Sequence, residues 1–173
     1  MFNIEREIEE ILDENLFLTY HEHKGHCLTE HLLSDKDLRQ KLWNMPKPAD
    51  ENDIVMATRF YSREQALKAI YEALSAHVDE IREWRKNLLY PYLEISHTDT
   101  KPTGEGICKN TDKNLIAVHG TRVILIANDN EGRAFYIRTA YPVRTYDDVD
   151  VIYDAMDEWQ ERKYNGNKRK DNH

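Results

Sequence analysis

His21, His23, His26, Cys27 and His31 crowd into the stretch from His21 to His31. Imidazole titrates near pH 6.5, so a histidine placed at a reacting bond can take a proton and later return it. Imidazole and thiolate are also zinc ligands. The spacing argues against metal, because His21-Glu22 is followed by Gly25 where the helical His-Glu-x-x-His pattern needs its second histidine, and no Cys-x-x-Cys occurs. Neither a metal nor another cofactor is expected. Proton transfer is the better use of this cluster, and cleavage of RNA is a reaction that needs it. A base removes the ribose 2′-OH proton, the oxygen attacks phosphorus, and cations or hydrogen-bond donors stabilise the extra charge.

The elements that must position these groups are legible in the pattern. Ile4, Ile8, Ile11 and Leu12 stand at helical spacing among glutamates, which predicts a peripheral acidic amphipathic helix over 3–17. Ser34-Asp35-Lys36-Asp37 has the form of a helix start, with a short helix through Leu38 and Leu42. Met45 to Asp53 reads as a loop. A capping box at Ser62-Arg63-Glu64-Gln65 opens one long helix through Leu88, with Leu67, Ile70, Leu74, Val78 and Ile81 along one face. Leu89 to Ile95 reads as a strand and Thr98 to Asn114 as a mobile polar loop. Val123–Ile126 and Phe135–Ile137 flank a Gly-containing connection, which predicts an antiparallel pair. A last helix begins at Thr145 and carries Val149, Ile152, Met156 and Trp159. Helices mostly precede strands, so the class is α+β, with N-terminal helices packed on an antiparallel sheet. Residues 1–164 are read as a single domain and 165–173 as a polar tail.

At 173 residues, folding removes roughly two thirds of the chain's surface from water, enough for a real core. Hydrophobic residues are 40% and charged residues 32% of the sequence, which excludes wholesale disorder. No transmembrane run is present, and Met1-Phe2-Asn3-Ile4-Glu5-Arg6 lacks the basic and apolar regions of a signal peptide. Cys27 and Cys108 make no disulfide framework, and a reducing compartment is the simpler reading. The formal charge of -8 repels a polyanion at long range, so nucleic acid would have to be met by a local basic cleft.

Lys24-Gly25-His26, then His31, then Leu38 to Leu42, and far downstream Phe135-Tyr136-Ile137-Arg138 running into Thr139-Ala140-Tyr141-Pro142, stand in an order that resembles the bacterial RNase A-like toxin domains at the C-termini of contact-dependent growth-inhibition proteins. The resemblance extends from about His23 to Pro142. It implies a kidney-shaped α+β ribonuclease fold without disulfides and a catalytic set of one His, one Arg, one Thr and one Tyr. His31, Thr139 and Tyr141 match directly. Lys41 stands where the family has its arginine; lysine still neutralises a phosphorane but lacks the two-pronged guanidinium contact. Arg39 would replace it only if the helix register shifted. Thr139 and Tyr141, two apart in a strand, project to one side. For Tyr141 the open roles are a hydrogen bond to phosphate or packing of a base; for Thr139, a bond to a pyrimidine edge or a phosphate oxygen.

His26 is either a second acid/base group or a structural histidine beside Gly25, while His21 and His23 are expected to be solvated. The resemblance therefore implies an endoribonuclease toxin that cuts single-stranded RNA to 2′,3′-cyclic phosphate ends without metal, acts in the cytoplasm of a target cell, touches no membrane, and is held in check by a cognate immunity protein. With Met1 at its start and no visible delivery region, the chain is expected to be a standalone relative. Two rivals stand beside this reading. One is a catalytically inactive RNA- or protein-binding module on the same fold, motivated by the acidic balance and Lys41. The other is a metal-dependent hydrolase built on the histidine cluster.

Overall fold

Isoleucine spacing, not acidity, decides where the N-terminal segment goes. The structure is a computed structural model that describes residues 1–170. In it α1 (Ile4–Glu9) and the turn after it bury Ile4, Ile8 and Ile11 in the main core. The segment is therefore not peripheral. It is also not one helix. Asp13 leaves helical geometry and its side chain caps α2 (Glu14–Leu16), after which a wide π-type turn (Phe17–Glu22) brings Phe17, Tyr20 and His21 inward. Even Glu7 is buried, its carboxylate accepting from the Ala134 backbone N–H at 2.9 Å.

Two short helices follow, α3 (His23–Gly25) and α4 (Cys27–His31), then α5 (Asp35–Asn44), which starts where expected: the Ser34 hydroxyl accepts from the Asp37 N–H at 3.1 Å. After the 45–53 loop comes β1 (Met56–Phe60), a strand that the sequence pattern does not announce. The long helix is two, α6 (Arg63–Ala76) and α7 (Val78–Asn87), because His77 departs from helical ψ. The break keeps Ile81, with Leu67, Ile70 and Leu74, on the core side.

The remaining elements are β2 (Tyr92–Thr98), β3 (Gly104–Cys108), β4 (Ile116–Val118), β5 (Gly120–Ala127), β6 (Phe135–Val143) and α8 (Tyr146–Lys170). The expected loop from Thr98 to Asn114 thus contains β3, and the expected strand from Leu89 begins three residues later, after Leu88 takes a left-handed φ of 43°. The polar tail read from 165 is helical through Lys170, with Lys168 over the Tyr164 ring; 171–173 lie outside the described residues.

The strands form two antiparallel three-stranded sheets, β1-β3-β4 and β2-β5-β6. The helices α1, α6 and α7 cover one face of the second sheet through Ile95, Val123, Leu125, Phe135 and Ile137. Each such side chain contributes about 1.5–3 kcal/mol when fully buried. The first sheet is covered on both faces, which strand alternation makes possible. Ala57 and Ile107 meet Leu38 and Leu42 of α5, while Met56 and Cys108 meet Ile152 and Met156 of α8. Cys27 and Cys108 are free thiols in separate clusters. Among the described residues no helix is long and apolar enough to cross a membrane.

Candidate active site

Where β6 runs past α3 and α4, local sequence chemistry holds the two together. Gly25 at the end of α3 lies so close to β6 that a Cβ would meet the Ile137 carbonyl oxygen at 2.1 Å and that of Arg138 at 2.5 Å. His26 then takes a left-handed φ of 61°, turning the chain into α4. Glu22 secures the start of α4: its carboxylate accepts from the Leu28 and Thr29 N–H groups, both at 2.7 Å, and from the Thr29 hydroxyl. Burial alone would raise the Glu22 pKa, but these donors outweigh it and hold it below the usual value. His31 ends this helix.

On β6 a bulge decides which side chains face α4. Ile124 pairs with Thr139 and Leu125 with Ile137, so Arg138 is left over. Before it, Phe135 and Ile137 enter the core; after it, Ala140 does. Without that extra residue Thr139 and Tyr141 would share the face of Ile137 and be turned inward. With it they face His31. Thr139 Oγ1 lies 3.3 Å from His31 Nε2, and the Tyr141 ring stacks on the imidazole with centroids 5.3 Å apart. From α5, one turn past the buried Leu38, Lys41 brings its ammonium 3.5 Å from His31 Nδ1. Glu30 Oε2 lies 3.9 Å from Nε2.

These contacts set the electrostatics. Burial, then the Lys41 charge, push the His31 pKa down to about 4 against a weaker opposite pull from Glu22. The imidazole is neutral at pH 7. Burial also lowers Lys41 from its ordinary value. A lysine ammonium only donates, so Nδ1 accepts from it, and the ring proton then sits on Nε2 facing the Thr139 oxygen. A cleft of about 290 Å³ opens beside the pair, lined by His31, Lys41, Tyr141, Arg122 and Arg144 but not by Thr139. Lys41, the neighbour of Nδ1, is thus on the wall of the cleft, and Thr139, the neighbour of Nε2, is not.

The structure thus brings together His31, Lys41, Thr139 and Tyr141. It does not bring His26, which is exposed at its turn and does not line the cleft. Arg39 points elsewhere on α5 and lines a different groove. His21, expected in solvent, is buried: its Nδ1 accepts from the Ile137 N–H at 3.1 Å, and burial pushes its pKa down to about 3. His23 is exposed. Among the described residues no three His, Cys, Asp or Glu side chains are grouped to share a metal ion.

Arg122 and Arg144 escape a reading by motif. Arg122 lies opposite Tyr141 in the β5–β6 register, its guanidinium 6.0 Å from the ring centroid, and it bonds Glu94 at 3.0 Å. Only strand pairing could have pointed to it.

Comparison with known proteins gives the context. The family model described as bacterial CdiA-CT RNase A domain matches residues 25–142. The chain belongs to this family of ribonuclease toxin domains. Its matched segment opens at Gly25 and ends at Pro142, so it holds every member of the His31 cluster and the bulge that aims it. A crystal structure of a CdiA-CT/CdiI complex from Y. kristensenii 33638 superposes with a TM-score of 0.58 at 20% identity, covering 69% of this chain and 99% of that one. The CdiA-CT fold is therefore shared well beyond recognisable identity. No curated protein matches the chain. Helix α1 and helix α8 both lie outside the family segment.

Proposed function

We propose that this CdiA-CT RNase A-type domain cleaves single-stranded RNA by internal transphosphorylation, with His31 as base and without a metal ion. The observation that carries the reading is the ring of His31 held between Thr139 at Nε2 and Lys41 at Nδ1, on the wall of a cleft that also holds two arginines. A phosphate entering the cleft draws the Lys41 ammonium away from Nδ1 and frees that lone pair. The 2′-O–H bond breaks, its proton passes to Nδ1, and the 2′ oxygen bonds phosphorus. Lys41 and the arginines offset the charge of the phosphorane. As the bond from phosphorus to the 5′ oxygen breaks, that oxygen takes a proton from Lys41. The imidazolium then returns its own proton to the lysine amine. The products are a 2′,3′-cyclic phosphate and a free 5′-OH. Thr139 is a positioning residue, fixing the ring as a hydrogen-bonded partner fixes a catalytic histidine, while Tyr141 supports the ring by stacking and, from the wall of the cleft, donates its hydroxyl hydrogen to the phosphate.

A toxin with this activity acts in the cytoplasm of a target cell. The CdiA-CT/CdiI complex of Y. kristensenii supports a cognate immunity protein as partner, and in the proposed reading that protein protects the producing cell by covering the cleft. Incubation with total RNA in EDTA tests the chemistry: wild type yields cyclic-phosphate ends, His31→Ala yields none while folding normally, and Tyr141→Phe is slower. Full activity in His31→Ala would remove the proposed base, and cleavage abolished by EDTA would restore the metal reading. Lys41 in place of the implied arginine favours one rival, an inactive binding module, which would bind RNA and leave it intact.

A further inference from the structure

The cleft beside His31 has room for little more than one phosphate and its sugar, yet a much larger groove begins at its edge. Met45 lines both. From there a groove of about 910 Å³ runs between α5, the 45–53 loop, the β3–β4 connection and α8. Two indoles stand on it, Trp43 from α5 and Trp159 from α8. Trp43 is 78% exposed, and with Trp159 it puts two large aromatic surfaces on one groove.

The charge around these rings is cationic although the chain as a whole is acidic. Arg39, Lys47, Lys109 and Lys113 line the groove against Glu51 and Asp112, and Asp112 is already paired with Arg162. Helical spacing builds the arrangement on both walls. Arg39 and Trp43 are four apart on α5 and share a face, beside the buried Leu42 that also lines the groove. On α8, Lys163 is one turn beyond Trp159 and sets its ammonium 4.9 Å from that ring's centroid. Aromatic rings spaced among cations along a channel are what a single-stranded nucleic acid requires, since bases stack on the rings while phosphates meet the cations.

We propose that this groove is an extended subsite for single-stranded RNA, in which unpaired bases flanking the cleaved phosphate stack on Trp43 and Trp159. The inference rests on the ribonuclease reading for its purpose, and on charge complementarity and continuity with the His31 cleft for its ligand. Because α8 lies outside the family segment, one of the two stacking rings, Trp159, is an addition of this chain to the family domain. It also answers the net charge of -8, since substrate is held by a local cationic strip and not by the overall field.

The test uses the full chain and two probes. Quenching of tryptophan fluorescence by a single-stranded 2′-deoxy oligonucleotide reads binding without any cleavage. Steady-state cleavage of a dinucleotide and of a longer oligoribonucleotide reads catalysis. Trp43→Ala is expected to weaken oligonucleotide binding and raise KM for the long substrate about tenfold, with dinucleotide cleavage unchanged. Trp43→Phe restores most of the loss, and Lys47→Glu flattens the salt dependence of binding. Unaltered oligonucleotide binding in Trp43→Ala and Lys47→Glu overturns the subsite, and leaves the groove as a protein-docking face. No binding by wild type overturns it as well. Binding that depends on Trp43, without cleavage of either RNA, upholds the subsite and counts instead against the proposed catalysis.

Discussion

Burial and the Lys41 ammonium act on His31 in one direction, both favouring the neutral ring. A neutral imidazole at pH 7 is ready to accept a proton, and the cation that adds to burial in keeping it neutral is, in the proposed mechanism, the one that meets the phosphate. The two roles of Lys41 can be separated. Lys41→Met removes a positive charge 3.5 Å from Nδ1, so the His31 pKa rises and the acidic limb of the kcat/KM profile moves to higher pH. The plateau falls at the same time, by about 10²–10³-fold if the charge stabilises the phosphorane. Lys41→Arg keeps the charge, and its limb stays low. A pH–rate profile of the two variants decides the matter: an unmoved limb in Lys41→Met would show that the two side chains do not interact in the working enzyme.

At the scale of elements, the site depends on how closely α3 and α4 can approach β6. Gly25 permits that approach, since any side chain there would collide with two backbone carbonyls. Gly25→Ala is expected to lose about 1–3 kcal/mol in urea denaturation and most of its RNA cleavage, because the displaced carbonyls belong to the strand that carries Thr139. Gly166→Ala is the matched control. A Cβ at that position meets nothing within 4 Å and lies in α8, so it is expected to stabilise by about 0.5–1 kcal/mol. The β6 bulge at Arg138 works with Gly25, turning Thr139 and Tyr141 out of the core toward the helix end that presents His31.

The molecule as a whole carries buried histidines that must stay neutral, and its stability should record them. The folded pKa of His21 is about 3 and that of His31 about 4, below the unfolded value of about 6.5. The unfolded chain therefore binds more protons over that interval. The contribution of these groups is fully present above pH 6.5 and is lost as pH falls toward their folded values. Glu22, also held below its ordinary value, adds its loss at the acidic end of the same range. Urea midpoints for wild type are expected to decline from about pH 6.5 downward, and His21→Gln, which keeps an acceptor for the Ile137 N–H, should decline less steeply. Equal slopes would mean that His21 is protonated within the folded protein.

Much of this protein follows from local pattern. Capping at Ser34 and Ser62, the apolar face of α6 and the β5–β6 pair are set by neighbours a few residues apart, so spacing alone determines them. His31, Thr139 and Tyr141 were visible as a family pattern. What local pattern could not settle depended on contacts far apart in the chain. Strands β1 and β3 exist because each pairs with the other and is covered by α5 and α8, although β3 by itself is a glycine-containing polar stretch. The isoleucines of α1 found a core instead of the periphery. His21 and His31 have similar local surroundings and opposite fates, one fully enclosed against β6 and one at the edge of a cleft. Side-chain type and spacing are properties of a segment, whereas burial, strand phase after a bulge, and the meeting of His31 with Lys41, Thr139 and Tyr141 are properties of the folded chain, because they are set by which distant surfaces exclude water together.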